Sequence, residues 1–209
     1  MAKEGKEGIE SLAFPSVPLK EGRGTLMKIG IVSDTHGCVE SWRKTFSYLS
    51  DAEVILHAGD VLYHGPRNNI PQEYQPAELV KELNSCAVPL VFAAGNCDAE
   101  VDGMVLEAPL QNPFAFVQWE GLRILLSHGH RQSVAEKEEL AKKYKVQLFI
   151  EGHTHLPVLE KKGDCVFLNP GSTCMPKTAD KRATFAVLEE GTISICYVDT
   201  GEIYQTMAL

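Results

Sequence analysis

Five apolar runs in this chain each end in a cluster of side chains able to bind a cation: IGIVSDTHG at 29–37, EVILHAGD at 53–60, PLVFAAGNCD at 89–98, RILLSHGH at 123–130 and VQLFIEGHTH at 146–155. Runs this short read as buried strands, and the stretches at 39–50 and 76–84 have the spacing of amphipathic helices. That alternation is the βαβ pattern of a parallel sheet. The carboxyl ends of parallel strands face one edge, so side chains just past those ends can converge although long stretches of chain separate them. All seven histidines, at 36, 57, 64, 128, 130, 153 and 155, lie within or beside these blocks, which histidines scattered through a core would not do.

The second half changes character. FAFVQWE and LRILLS meet at Glu120 and Gly121, and ATFAVLEE and TISICYV meet around Glu190 and Gly191, so both pairs are expected to be antiparallel hairpins. A helix is expected over about 132–144, with Glu136, Glu138 and Glu139 toward its start and Lys142, Lys143 and Lys145 toward its end, as the helix dipole favours. The 209 residues suit one substantial domain, expected over 27–209, after a Gly-, Lys- and Glu-rich segment, 1–26, expected to be a disordered extension.

Charge and composition exclude several partners. With 20 basic and 28 acidic residues the net charge is −8, which disfavours a nucleic-acid polymer or an anionic membrane. No apolar run approaches the roughly 20 residues of a membrane span, and the N-terminal residues lack the pattern of a secretory leader. A cytoplasmic protein is therefore expected. Its six cysteines, at 38, 86, 97, 165, 174 and 196, contain no CxxC pair and are expected to be reduced thiols.

The donors in the five blocks are carboxylate, imidazole and amide oxygen. They suit Mn²⁺, Fe²⁺, Co²⁺ or Zn²⁺ better than a thiolate-bound structural zinc, and they are numerous enough for two ions. Two such ions would attract phosphate despite an acidic exterior, and could activate a shared water for in-line displacement at phosphorus. A capped turn would explain Asp34 with His36 in isolation, but not five such clusters together. His57, within a strand, reads as a packed histidine. His64, Arg67 and Asn68 lie in a loop and are candidates for contacting substrate phosphate, against the simpler reading of a solvated turn at Gly65 and Pro66. Asp98 is a candidate for orienting a histidine. Asn169 to Ser172 are expected to brace the GHTH loop, Gly59 and Gly95 to let the chain turn sharply, and His153 and His155 to point one way from an extended segment. In HGH, His130 could replace His128.

In order, DTHG, GDVLYHG, GNCD, HGH, GHTH and NPGS resemble the calcineurin-like metallophosphoesterase superfamily, and more closely its small YfcE-like phosphodiesterase branch, from about Met27 onward. The resemblance implies a four-layer α/β/β/α sandwich of two mixed β-sheets. It implies that Asp34, His36 and His155 hold one metal, that Asn96, His128 and His153 hold a second, and that Asp60 bridges them. Mn²⁺ is the first expectation for both, with Zn²⁺, Fe²⁺, Co²⁺ or Ni²⁺ as alternatives. The implied activity is hydrolysis of a small phosphodiester by a metal-bridging hydroxide, with His64 and Asn96 stabilising the developing charge. Phosphomonoesterase, nuclease, and a non-catalytic scaffold like the retromer subunit are the alternatives, and a dimer or tetramer is compatible. Cys97 departs from many members of the wider superfamily, which carry histidine after GN, while the YfcE-like branch resembles this sequence in having Cys there. A thiol with an ordinary pKa of about 8.5 donates a proton only if well placed, so Cys97 is a candidate for chemistry or for mere packing.

Overall fold

The computed structural model describes residues 28–209, so the expected extension at 1–26 lies outside the described residues. The first part alternates as the hydrophobic pattern requires: β1 (Lys28–Val32), α1 (Val39–Leu49), β2 (Val54–His57), α2 (Pro76–Asn84), β3 (Leu90–Ala93), a short α3 (Asp102–Val105) and β4 (Leu110–Gln111). The remainder is β5 (Ala115–Trp119), β6 (Leu122–Leu126), α4 (Val134–Tyr144), β7 (Leu148–Ile150), β8 (Pro157–Lys162), β9 (Cys165–Pro170), β10 (Thr184–Glu189), β11 (Thr192–Tyr197) and β12 (Ile203–Ala208). No described helix is long and apolar enough to cross a membrane.

Two mixed sheets result, ordered β12-β11-β10-β1-β2-β3-β4 and β5-β6-β7-β9-β8. Both expected hairpins form. Their two-residue turns, Glu120–Gly121 and Glu190–Gly191, have positive φ at both positions, which matches the twist of the flanking strands. The second half is nevertheless not all antiparallel. β6 pairs parallel with β7, and β7 parallel with β9, because α4 and then β8 carry the chain back before each strand is laid down.

Alternation along the strands explains the layering. Ile29 and Ile31 of β1 and Leu56 of β2 point between the sheets, where they meet Ile124, Leu126, Leu148 and Ile150. Val32 and Ile55 point the other way, against Trp42, Leu49 and Leu79 of α1 and α2. On the far side Ala141 of α4 packs on Leu125, Phe149 and Phe167. The expected α/β/β/α sandwich is thus present. α4 starts in a capping box between Ser133 and Glu136 and carries Lys142 and Lys143 in its last turn, as its charge pattern predicts.

Candidate metal centre

The carboxyl ends of β1, β2, β3, β6 and β7 meet at one edge of the sandwich. Asp34 and His36 follow β1, Asp60 follows β2, Asn96 and Cys97 follow β3, His128 follows β6, and His153 and His155 follow β7. Of the seven ligand candidates, Asp34, His36, Asp60, His153 and His155 all have φ between 45° and 70°, a left-handed conformation that non-glycine residues rarely adopt. Strain gathered this way is held in place by the surrounding fold. It also corrects the extended reading of 153–155: the two imidazoles reach the centre from left-handed backbone, not by strand alternation.

Hydrogen bonding sets the direction of three imidazoles. Nδ1–H of His36 donates to Tyr63 O (2.6 Å), that of His128 to Ala58 O (2.7 Å), and that of His155 to Met175 O (2.6 Å). A carbonyl can only accept, so the proton sits on Nδ1 and the Nε2 lone pairs face inward. There, Nε2 of His36 and Nε2 of His155 stand 3.2 Å apart, and Asp34 Oδ1 lies 3.1 Å from His155 Nε2 and 3.6 Å from His36 Nε2. Asp34 ties its other oxygen down, Oδ2 accepting from Ser33 Oγ (2.6 Å) and the His153 N–H (3.1 Å), which leaves Oδ1 buried without a donor. Asp60 repeats the arrangement. Its Oδ1 accepts from the Cys97 N–H (2.8 Å), while Oδ2 lies 3.3 Å from His128 Nε2 and 3.8 Å from His36 Nε2. Asn96 Oδ1 adds one more acceptor 3.2 Å from His128 Nε2, and the His153 ring packs edge-on to that of His128 at 5.2 Å. Acceptors crowded on acceptors need a positive charge among them, so these residues fit divalent cations.

The charged states agree. Burial opposes ionisation of Asp34 and Asp60, yet His155 and His36 beside Asp34, and His128 beside Asp60, hold both carboxyls below the usual range. Burial likewise opposes charge on His128, but Asp60 and Asp34 raise it to about 9, and Asp34 raises His36 against its own burial. Cys97 lies within ligand range of His36 and Asp60, and Asn96 Nδ2 donates to its sulphur at 3.2 Å. Burial and the charge of Asp60 push that thiol up to about 12, so it stays protonated.

Loops behind the centre hold it in register. Asp98 does not orient a histidine as expected. Instead it accepts the backbone N–H groups of Asp60 (2.8 Å), Val61 (2.7 Å) and Gly95 (2.7 Å), which clamps the β2 and β3 loops together. Gly59 turns at φ 95° as expected, whereas Gly95 is needed for space, since a Cβ there would strike the Asp60 carboxylate. Asn169 does brace GHTH, donating to Gly152 O (2.7 Å) and Thr154 Oγ1 (3.1 Å). His57 is packed: Nδ1 accepts from the Gly59 N–H, Nε2 bonds Thr35 Oγ1 at 2.9 Å, and burial pushes its pKa down to about 3.

A family model described as the calcineurin-like phosphoesterase superfamily domain matches residues 27–192. The chain belongs to that superfamily. It is 34% identical to "Phosphodiesterase YfcE" of Escherichia coli K12 over 186 residues, 88% of this chain and 99% of the relative. It is 30% identical to "Phosphodiesterase MJ0936" of Methanocaldococcus jannaschii, over 71% of this chain and 85% of that one. The solved structure of the E. coli YfcE phosphoesterase superposes with a TM-score of 0.77, covering 87% of this chain and 99% of the other. Vacuolar Protein Sorting 29 from Cryptosporidium parvum shares the fold at a TM-score of 0.62 and 17% identity, covering 88% of this chain and 99% of that one.

Within this phosphoesterase, the structure brings His128 rather than His130 into contact with Asp34 and Asp60; His130 Nε2 instead accepts from Arg131 Nε at 3.1 Å. His64 is half-buried, its ring edge-on to Tyr63 and Tyr74, and its buried Nδ1 has no partner among the described residues. Arg67 is exposed and lines a groove formed with 174–177. The expectation of six reduced cysteines fails at two of them. Cys38 and Cys174 form a disulfide, with Cα atoms 6.0 Å apart, while Cys86, Cys97, Cys165 and Cys196 are free. At a sequence separation of 136, only the meeting of the β1 and β9 loops reveals the pair.

Proposed function

We propose that the chain is a metal-dependent phosphodiesterase acting on small phosphodiesters. The observation that carries the reading is the inward set of acceptors: three Nε2 lone pairs with two carboxylate oxygens, every outward N–H committed to a carbonyl. In this reading Asp34, His36 and His155 would hold one divalent cation, Asn96, His128 and His153 would hold a second, and Asp60, whose carboxylate lies near both His36 and His128, would be shared between them. Mn²⁺ is the first candidate among the divalent ions that oxygen and nitrogen donors of this kind accept. Two such cations, when bound, supply Lewis acidity at the phosphoryl oxygens and a water acidic enough to yield a nucleophile at neutral pH.

The chain's own groups do the remainder. Asn96 and His153 are exposed while Asp34, His36, Asp60, His128 and His155 are buried, so substrate approaches from the Asn96 and His153 side. His64 and the Asn96 amide are the donors for the developing phosphoryl charge. Cys97 places a thiol where many members of the superfamily carry an imidazole, and a thiol is the poorer proton donor near neutral pH, which favours diesters with a moderate leaving group.

The test is hydrolysis of bis(4-nitrophenyl) phosphate against 4-nitrophenyl phosphate, using chelator-stripped protein with Mn²⁺, Zn²⁺, Co²⁺ or Ni²⁺ added back singly. Diester turnover restored by metal is expected. Monoester preference would move the assignment to a phosphatase, and absence of turnover in protein holding two metals would make a binding scaffold the better reading. Asp60→Ala should lower kcat/KM by more than the roughly 10–100-fold typical of groups that only orient a ligand, with the circular dichroism spectrum unchanged.

A further inference from the structure

A groove of about 620 Å³ opens beside the metal centre, a size ordinary for small-molecule sites. One wall is 67–73, from the β2–α2 connection, and another is 174–177, from the β9–β10 connection, with Cys38 and Ser41 between them. Both walls are anchored to residues of the centre. Upstream of the first wall Tyr63 O accepts from His36, and Asn68 Nδ2 donates to His64 O at 2.8 Å. In the second, Met175 O accepts from His155, and the Lys177 N–H donates to His155 O at 3.2 Å. The Cys38–Cys174 disulfide joins the second wall to the start of α1. The groove is therefore held in fixed register with the metal ligands.

Its lining has a distinct chemistry. Each wall contributes one exposed cation, Arg67 and Lys177, and among the described residues neither is ion-paired. The carboxylate in the lining, Glu73, turns Oε2 to α1, accepting from the Ser41 N–H (3.1 Å) and Ser41 Oγ (2.8 Å), so the lining carries two cations against one carboxylate. Asn68 and Asn69 supply amides, and Ile70, 66% exposed, supplies an apolar surface. On a chain of net charge −8, two unpaired cations flanking amides and an apolar side chain form a local positive feature that fits an organic anion.

We propose that this groove is the subsite for the organic arm of the phosphodiester, and that the arm carries a second phosphate held by Arg67 and Lys177. The proposal rests on the phosphodiesterase reading above and narrows it to diesters with an additional anionic group. Arg67 thereby binds the arm and not the scissile phosphate.

Two substrates test it: 4-nitrophenyl thymidine 5′-phosphate and the same compound bearing a 3′-phosphate. Water displaces the same 4-nitrophenolate from both, so only the arm differs. In Mn²⁺-loaded protein at low salt, kcat/KM should favour the 3′-phosphorylated substrate by about twenty-fold, a preference that shrinks as salt screens exposed charge. Lys177→Met and Arg67→Met should each cut the preference about five-fold, the upper value for one exposed ion pair, and the double variant should bring it near one. Lys142→Met, on α4, should leave the preference as it is. Equal efficiency on the two substrates, or a preference that survives the double variant, overturns the subsite while leaving the phosphodiesterase reading intact. Failure to hydrolyse either substrate with any ion overturns both.

Discussion

His57 shows what a single buried side chain does in this sandwich. It is fully buried, its Nδ1 accepts the Gly59 N–H, and its pKa is pushed down to about 3, so it stays neutral where a solvated histidine would ionise. Between its ordinary pKa of about 6.5 and about 3, the unfolded chain binds a proton at this residue that the folded chain refuses. Stability should therefore fall as pH falls through that window, by up to about 1.4 kcal/mol per pH unit from this group. Urea denaturation from pH 6.5 to 4 should show a shallower decline in His57→Gln, and parallel slopes would refute the assignment. Gly95 makes a steric argument of the same kind. A Cβ there meets the Asp60 backbone nitrogen at 2.5 Å and collides with its carboxylate, so Gly95→Ala should displace Asp60. We expect at least about a ten-fold loss of metal affinity, read by isothermal titration.

Among the elements, the end of β9 is the most consequential for the centre although it contributes no ligand. Asn169 bonds Gly152 O and Thr154 Oγ1 behind GHTH, and Ser172 Oγ donates to Asp34 O at 2.8 Å while accepting the Met175 N–H. One short segment thus supports the loops of His36, His153 and His155 together. Removing the Asn169 amide takes one of two donors from buried Gly152 O, which still accepts the Thr154 N–H (2.8 Å), at a cost of about 0.5–1.5 kcal/mol. Asn169→Ala should lower the denaturation midpoint accordingly and weaken metal binding about 10–100-fold, whereas a loss of stability with unchanged metal affinity would show that the bracing does not reach the ligands. The NPGS block made this role legible in the sequence, because an amide and a glycine turn next to a strand end have little else to do.

On the scale of the whole molecule, the two sheets meet through a shared apolar layer, and five strand ends converge at its edge. At that edge the buried carboxylates of Asp34 and Asp60 repel one another, and a divalent cation bound there would offset that repulsion. A ligand that binds only the folded state at a hundred times its Kd adds about 2.7 kcal/mol. For a chain of this size, Mn²⁺ added to chelator-stripped protein should therefore raise Tm by about 5–10 °C, and should not do so in Asp34→Asn. Because Asp60 and Asp34 hold His128 protonated up to about 9, metal uptake at pH 7 should release protons and strengthen as pH rises toward that value. Titration calorimetry in two buffers of different ionisation enthalpy measures that release, and its absence would mean that the imidazoles enter the site already neutral.

Residue types and their position after an apolar run were enough to single out Asp34, His36, Asp60, Asn96, His128, His153 and His155 as candidates, and the alternation of runs was enough for a parallel sheet with covering helices, the second sheet being implied by the family resemblance. Both are local properties: a strand delivers whatever follows it to the sheet edge, and the period of apolar residues records which faces are buried. What the tertiary structure decided is non-local. The carbonyls of Tyr63, Ala58 and Met175 have no signature in sequence, since every residue has one, yet they choose which imidazole nitrogen faces the centre. The left-handed backbone at the ligands, the clamp of Asp98 on two loops, the Cys38–Cys174 bond and the pairing of Arg67 with Lys177 across one groove each require segments distant in the chain to meet. Burial and proximity in space set those features, and neither can be read from neighbours along the chain.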